Sequence, residues 1–327
     1  MSNSAPYCVE LHPAAEFDSL QQDPQVFAIL RYGQTTQIDR ELPGLIQIAL
    51  PPIGSDELIE VWRSAHPLQQ AEFGPVRYQF CDQFLFGSLL IEDAADKDLA
   101  LASSEAYQHI HDALENAGFP GLLRMWNYFP RINLEVEGLE RYQAFCVGRH
   151  QALEAWHFPN EQLPAATAIG TLGEGLLIYF VASKRPGIQI ENPRQVSAFH
   201  YPEQYGPKSP TFSRATLTDW SHLYLSGTAS IVGHETLHTG NNIAQLDETL
   251  ANLRIVLERA HDDYALDCHS IKDLNLMRLY VRDPADASSL LEHLQQKLGS
   301  STRIQLLQGD ICRSDLLLEI EAMYAPC

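Results

Sequence analysis

Two kinds of apolar pattern alternate along this chain. Short, nearly continuous apolar runs such as FLFGSLLIE (84–92) and GLLIYFVAS (175–183) are bounded by turn residues, as strands covered on both faces are. Between such runs the apolar residues recur at three and four, clearest in Ile243, Leu246, Leu250, Leu253 and Leu257, which draw one stripe down a helix. The order strand, helix, strand, helix, strand, strand then occurs twice. The first series is FLFGSLLIE, SSEAYQHIHDALENAG (103–118), LLRMWNYFP (122–130), LERYQAFCVGRHQAL (139–153), PAATAIGTL (164–172) and GLLIYFVAS. The second is LYLSGTASIVG (223–233), IAQLDETLANLRIVLERA (243–260), LNLMRLYVRD (274–283), DASSLLEHLQQKLG (286–299), TRIQLLQGD (302–310) and DLLLEIEAMYA (315–325). Phe86-Gly87-Ser88 falls over Ser226-Gly227-Thr228, and Arg124 over Arg278. The fold class is therefore α+β: two β-α-β-α-β-β halves, residues 76–200 and 201–327, behind a small β-rich N-terminal part, residues 1–75, with runs such as QVFAILRYG and LIQIALPPI.

A chain of 327 residues, 45% hydrophobic and 20% charged, can bury a sizeable core. Its 42 acidic against 22 basic residues give a formal charge of −20, which disfavours nucleic acid and anionic membranes as partners. No apolar run approaches the roughly 18 residues that cross a bilayer, and MSNSAPYCVELHP at the start has neither the basic region nor the apolar core of an export signal. A cytoplasmic protein is expected. The cysteines Cys8, Cys81, Cys146, Cys268, Cys312 and Cys327 are scattered without a C-x-x-C pair, so reduced thiols are expected rather than a disulfide framework or a zinc ribbon.

One stretch, GHETLH (233–238), spells H-E-x-x-H, which binds zinc only when His234 and His238 sit one turn apart on a helix. Here the strand pattern ends at Gly233 and the helical stripe begins after Gly240, with Asn242 and Gln245 spaced like a capping box. The motif falls in a strand-to-helix loop, and no third ligand follows at the usual spacing. No metal is expected.

The halves differ most at their last strand. Where the first reads Leu177-Ile178-Tyr179-Phe180, the second reads Leu318-Glu319-Ile320-Glu321, two carboxylates on one face of an otherwise apolar strand. If Glu319 projects into a pocket, desolvation raises its pKa and equips it as a general acid; the alternative is a solvated acidic edge. Cys312 lies on the approach to that strand, as a nucleophile or as a core thiol, and Arg303 lies on the strand before. Arg149 follows Gly148 on an apolar helix. SAFHYPEQYGPKSPTF (197–212) is an aromatic, proline-rich loop of the kind that lines pockets, or else an ordinary linker.

These segments resemble a known family. LYLSGTASIVGHE, NNIAQLDETLANLRIVLERA, DLNLMRLYVRDPAD and the terminal LLLEIEAM are similar to the RidA/YjgF fold. From about Arg77 onward, LLRMWNYFPRIN, RYQAFCVGRHQAL, PAATAIGT, NPRQVSAFHYPEQYGPKSPTFSRA, SGTASIVGH and DICRSDLLLEIEA resemble the chorismatases, chorismate-hydrolysing relatives of RidA/YjgF. The resemblance implies two RidA/YjgF-like halves, chorismate as the substrate and release of pyruvate from its enolpyruvyl ether, without metal or organic cofactor. It makes Glu319 the catalytic proton donor, and Cys312 the thiol that helps open an arene-oxide-like intermediate in members that form 3-hydroxybenzoate. For the substrate it suggests Arg149 and Arg303 as carboxylate clamps, Tyr201 over the ring, Ala229 as a position governing product type, and Arg278 as a further contact. Members that make 3-hydroxybenzoate carry a smaller residue in place of Ala229, so the product stays open between 3-hydroxybenzoate, 4-hydroxybenzoate and a dihydroxycyclohexadienoate. Also open are a monomer or a homotrimer, and two rival functions of the same fold: RidA-like imine or enamine hydrolysis, and non-catalytic binding of a small ligand.

Overall fold

Each long apolar run becomes a strand with both faces covered, and the computed structural model, which describes residues 5–54, 57–92, 98–299 and 303–326, gathers the strands into three main sheets. The first contains β1 (Tyr7–Pro13), β2 (Val26–Tyr32), β3 (Gln37–Ile38), β4 (Leu45–Ile48) and β5 (Leu58–Ser64), in the order β1-β5-β2-β4-β3. A short helix, α1 (Phe17–Gln21), packs Leu20 against Ile29, Ile59 and Val61 on its outer face.

The second sheet runs through β6 (Gln69–Phe73), β7 (Val76–Phe80), β8 (Phe84–Ile91), α2 (Leu99–Ala117) and β9 (Gly121–Pro130). A small hairpin, β10 (Glu135–Val136) and β11 (Leu139–Glu140), leads into α3 (Arg141–Ala155), and β12 (Ala165–Thr171) and β13 (Leu176–Ser183) complete the sheet. The third contains β14 (Ile188–Ile190), β15 (Ala215–Leu217) and β16 (Leu223–Thr228), then a separate hairpin of β17 (Ile231–Val232) and β18 (Glu235–Thr236). It continues with α4 (Asn242–Tyr264), β19 (Leu276–Val281), α5 (Ala287–Leu298), β20 (Gln305–Gln308) and β21 (Leu318–Tyr324). Strand β6 thus joins the second sheet although it precedes residue 76, and β14 joins the third although it precedes residue 201.

The second and third sheets follow one plan, β12-β9-β13-β8-β7-β6 and β20-β19-β21-β16-β15-β14. In each, the first pair is parallel and bridged by a helix, α3 or α5, while the other pairs are antiparallel. Arg124 faces Val181 across one sheet and Arg278 faces Glu321 across the other. Two residues along, Trp126 faces Tyr179 and Tyr280 faces Glu319, so Tyr179 and Glu319 hold the same place in the two sheets.

The inner faces of all three sheets meet in one core that includes Trp62, Phe86, Trp126, Tyr179 and Tyr280. Helices α2 and α3 cover the outside of the second sheet, and α4 and α5 that of the third. A buried charge cluster ties the three together. Arg278 of β19 donates to both carboxylate oxygens of Glu60 on β5 (2.6 Å each) and to Glu321 on β21, which also takes hydrogen bonds from Arg124 of β9, Thr167 of β12 and Tyr280 (2.6 Å). With all four charged side chains at most 2% exposed, removing one member strands the rest in a dry interior.

Cys8 on β1 is disulfide-bonded, which corrects the expectation of reduced thiols throughout; scattered spacing carries no signal of a pairing made by tertiary contact. Cys81, Cys146, Cys268 and Cys312 are free, and Cys327 lies outside the described residues. Among the described residues no helix is long and apolar enough to cross a membrane.

Candidate active site

The joint between the second and third sheets opens into a cavity of about 180 Å3. Edge strand β12 reaches across it: Ala165 N donates to Thr216 Oγ1 (2.7 Å), Ala166 N to Ser226 Oγ (2.8 Å), and Gly227 N to Thr167 Oγ1 (3.0 Å). The pairing of β16 with β21 slips between Leu225 and Thr228, and Glu319 lies against that irregularity. A Cβ at residue 227 would sit 1.9 Å from Glu319 Oε1, so glycine is required for the carboxyl to occupy this place. Helix α3 closes the opposite wall. Its Gly148 touches α2, where a Cβ would lie 1.9 Å from the Ala100 carbonyl oxygen, and this close approach presents the next residue, Arg149, to the cavity. The loop containing Tyr201, Tyr205 and Arg214 forms the remaining side.

Glu319 and Glu321 share a strand and a face, yet titrate oppositely. Burial, and then the anion of Glu321, push the Glu319 carboxyl up to about 8 against weaker pulls from Arg124 and Arg214, so it is mostly protonated at neutral pH. Burial acts on Glu321 too, but Arg278 and Arg124 together hold it below the usual carboxylate range. Glu319 is a neutral acid facing a cavity, and Glu321 is a fixed anion facing its arginines.

Three guanidinium groups line the same cavity. Arg149, 4% exposed, lies over the Tyr107 ring at 5.1 Å, with Nε and Nη2 unpartnered among the described residues. Arg214 donates from Nη2 to Val196 O (2.9 Å) and Tyr201 Oη (2.8 Å), and its Nε has no partner among the described residues. Arg313 stacks on Tyr205 at 3.9 Å, donates to His234 O (2.9 Å), and has a buried Nη2 without a partner among the described residues. Buried N–H groups of a cation without acceptors are costly in a chain with this excess of acid, and converging on one cavity they describe a receptor for an anion. Cys312 and Cys146 also face it; burial, with the Glu319 carboxylate charge as the next influence, pushes the Cys312 thiol well above its usual range, and burial takes Cys146 up to about 12. Both are therefore neutral thiols at physiological pH.

Of the residues singled out from the sequence, Glu319, Cys312, Arg149, Tyr201 and Ala229 come together around this cavity. Arg303 and Arg278 do not. Arg303 is exposed at another sheet joint, donating to Leu11 O (2.7 Å), because β20 is the edge that meets the first sheet, with Ile53 N on Leu306 O (2.9 Å). Arg278 is wholly taken up by Glu60 and Glu321 and has no surface on the cavity. Arg214, Arg313, Thr167 and Gly227 were not picked out. Arg214 stands just before a strand, and Arg313 stands beside Cys312 inside DICRSD, where an arginine next to a chosen cysteine was the available signal.

GHETLH supplies the turn and the second strand of the β17–β18 hairpin rather than a helix, with Gly233 and His238 both at φ 60°. His234 Nδ1 meets Tyr205 Oη (3.1 Å) and His238 lies 3.6 Å from Glu248. Among the described residues no cluster of His, Cys, Asp and Glu could hold a metal ion. Helix α4 is capped by Asn241, whose side chain accepts from Ala244 N (3.0 Å), one residue before the expected cap and without the capping box, because Gln245 turns to His238 O and Asp315 O instead.

Residues 60–182 match the family described as chorismatase FkbO/Hyg5-like, N-terminal. A chorismatase of Streptomyces rapamycinicus is 34% identical over 279 residues, covering 83% of each chain. A chorismatase of Streptomyces hygroscopicus is 33% identical over 99% of this chain and 96% of its own, and a 3-hydroxybenzoate synthase of the same organism is 32% identical over 91% of each. Among solved structures, a crystal structure of chorismatase at 1.08 Å resolution superposes with a TM-score of 0.90 at 31% identity, over 99% of both chains. With identity of this order along nearly the whole length, and the acid and the arginines in one cavity, the chain belongs to the chorismatase family.

Proposed function

We propose that this enzyme removes the enolpyruvyl group of chorismate as pyruvate, with Glu319 as the proton donor. Chorismate carries two carboxylates and an enol ether, and the cavity offers three incompletely paired arginines and one protonated carboxyl. Arg149, Arg214 and Arg313 clamp the carboxylates, and Tyr201 lies alongside the ring. Glu319 gives its proton to the ether's methylene carbon, and the electron pair of the double bond forms that C–H bond. The cation left on the ether-bearing carbon faces the new Glu319 carboxylate, in a site with little water to compete. Water then adds, Glu319 recovers a proton, and the hemiketal collapses to pyruvate and a dihydroxycyclohexadienoate. In the other branch the ring hydroxyl closes on the neighbouring carbon as pyruvate leaves, Glu319 takes the hydroxyl proton, and reopening with loss of a ring hydrogen gives a hydroxybenzoate without net use of water. The neutral Cys312 thiol beside Glu319 supports this branch, while Ala229 in the cavity wall keeps both hydroxybenzoates in view.

The shared plan of the second and third sheets supports the reading of two RidA/YjgF-like halves, near 76–200 and 201–327, behind an N-terminal part of about 75 residues. Lining residues drawn from both the second and the third sheet of one chain support a working monomer over a homotrimer. The observation that carries the function is Glu319, a buried neutral acid in a cavity of arginines. Purified protein is incubated with chorismate, pyruvate is measured by coupled reduction, and the aromatic product is resolved by chromatography. Pyruvate no faster than the spontaneous rate rejects the assignment.

A further inference from the structure

Glu319 can donate a proton only if nothing nearby stabilises its carboxylate more strongly, and the structure directs the Gly227 amide and the Thr167 hydroxyl, two donors in its neighbourhood, to other acceptors. The backbone of Gly227 passes close to Glu319 Oε1, and its amide is directed to Thr167 Oγ1 (3.0 Å). Thr167 lines the cavity at the same spot: a Cβ at residue 227 would lie 3.3 Å from its Oγ1 and 1.9 Å from Glu319 Oε1. A hydroxyl has one hydrogen to give, and Thr167 gives it to Glu321 Oε2. Arg124, which could neutralise a Glu319 anion, also donates to Thr167 Oγ1 and Glu321 Oε2. Glu321 cannot turn away, since Arg278 and Tyr280 hold its second oxygen.

We propose that Thr167 and Glu321 are positioning residues for Glu319: Thr167 claims the Gly227 amide and commits its own hydrogen to Glu321, and Glu321 sets a fixed anion on the same strand face, so the reacting carboxyl keeps its proton until substrate takes it. This rests on the proposed role of Glu319 as general acid. The charges within the cluster balance, two arginines against Glu60 and Glu321, so replacing Glu321 by a neutral side chain leaves an excess cation beside Glu319. The other charged or titratable groups around the cavity that Glu319 borders are Tyr201, Tyr205 and Arg214 from the loop, Glu140 from β11, Tyr142, Cys146 and Arg149 from α3, and Cys312 and Arg313 on the approach to β21. None of these is changed in the variants below.

The test is the pH profile of kcat for pyruvate release from chorismate by the wild type, Glu321→Gln, Thr167→Val and Thr167→Ser. In the wild type the rate falls on the alkaline side as Glu319 loses its proton. In Glu321→Gln that limb moves to lower pH by about one unit or more, an approximately tenfold loss at fixed alkaline pH. Thr167→Val moves it the same way by less, because the Gly227 amide loses its acceptor and becomes free to stabilise the carboxylate while Arg124 stays with Glu321, and Thr167→Ser restores the wild-type limb. Lower rates with an unmoved limb in both Glu321→Gln and Thr167→Val mean that the pair is merely structural, and overturn the proposal. If Glu321→Gln fails to fold by circular dichroism, Thr167→Val decides alone by the same criterion. A wild type that releases no pyruvate rejects the general-acid reading and this inference with it.

Discussion

The second and third sheets are built to one plan and do different work. At the place where the second carries Tyr179 and Val181, the third carries Glu319 and Glu321, and both strands are buried along nearly their whole length. Tyr179 stacks on Trp126 at 4.5 Å and belongs to the central core. Glu319, at the same register, borders a cavity. The edges differ in a complementary way. Strand β12, at the edge of the second sheet, runs into the third and helps to build the site, whereas β20, its counterpart, runs into the first sheet. The scaffold therefore accommodates either an aromatic or an acid at this position, and only in the third sheet does that position border a cavity, whose arginines come from α3 and from the segments before β15 and β21.

The largest effect comes from making the third sheet as inert as the second. Glu319→Gln keeps shape and burial but has no proton to give, and kcat for pyruvate release falls by about a thousandfold or more. The same variant reports on pH. A carboxyl raised to about 8 in the folded protein contributes stability that is fully present below its unfolded value of 4.5 and is lost as pH rises towards 8. Urea titrations across that window show the wild type losing stability relative to Glu319→Gln as pH rises; a constant gap overturns the assignment of a raised carboxyl.

Next in size is the charge cluster that joins the sheets. Arg278→Met leaves Glu60 and Glu321 buried without their shared cation and costs about 3–5 kcal/mol in urea unfolding. A loss below about 1 kcal/mol shows that the sheets are held by their apolar faces alone. The smallest contrast is between arginines at the two sheet joints, Arg149 of α3 in the cavity and Arg303 ahead of β20. Arg149→Met raises KM for chorismate tenfold to a hundredfold, since a charged hydrogen bond to a carboxylate is worth about 1.5–3 kcal/mol. Arg303→Ala, at the joint that β20 makes with the first sheet, leaves KM and kcat within about twofold. Equal effects from the two dissolve the distinction between the joints.

Most of the long elements were legible as pattern. The stripe Ile243, Leu246, Leu250, Leu253 and Leu257 lies on α4, and the runs at 84–92 and 175–183 are β8 and β13. The leading hairpins were not legible: β6 is the polar, mostly exposed QQAEF, and β14 and β15 have three residues each, too few to show a period. Glu60 was passed over although LIEVWRS sets an acid inside an apolar strand, the same signal that marked Glu319. Arg303 was misplaced because each half has an edge strand at the corresponding point, and nothing in the linear order says which edge borders the cavity.

By itself the sequence determined the repeated order of strands and helices, the pair of carboxylates on the last strand, and the family to which these segments are similar. Those features are encoded locally, by the period of apolar residues and the identity of neighbours along the chain. Only the tertiary structure decided that the Glu319 carboxyl borders the cavity with its proton held while Glu321 is fixed as an anion. In L-E-I-E-A the two have nearly the same linear surroundings, and their opposite titration comes from Arg124, 197 residues away from Glu321, and from Arg278, which reach one carboxylate and leave the other to burial. Solvation and charge act through space, and the fold sets those distances.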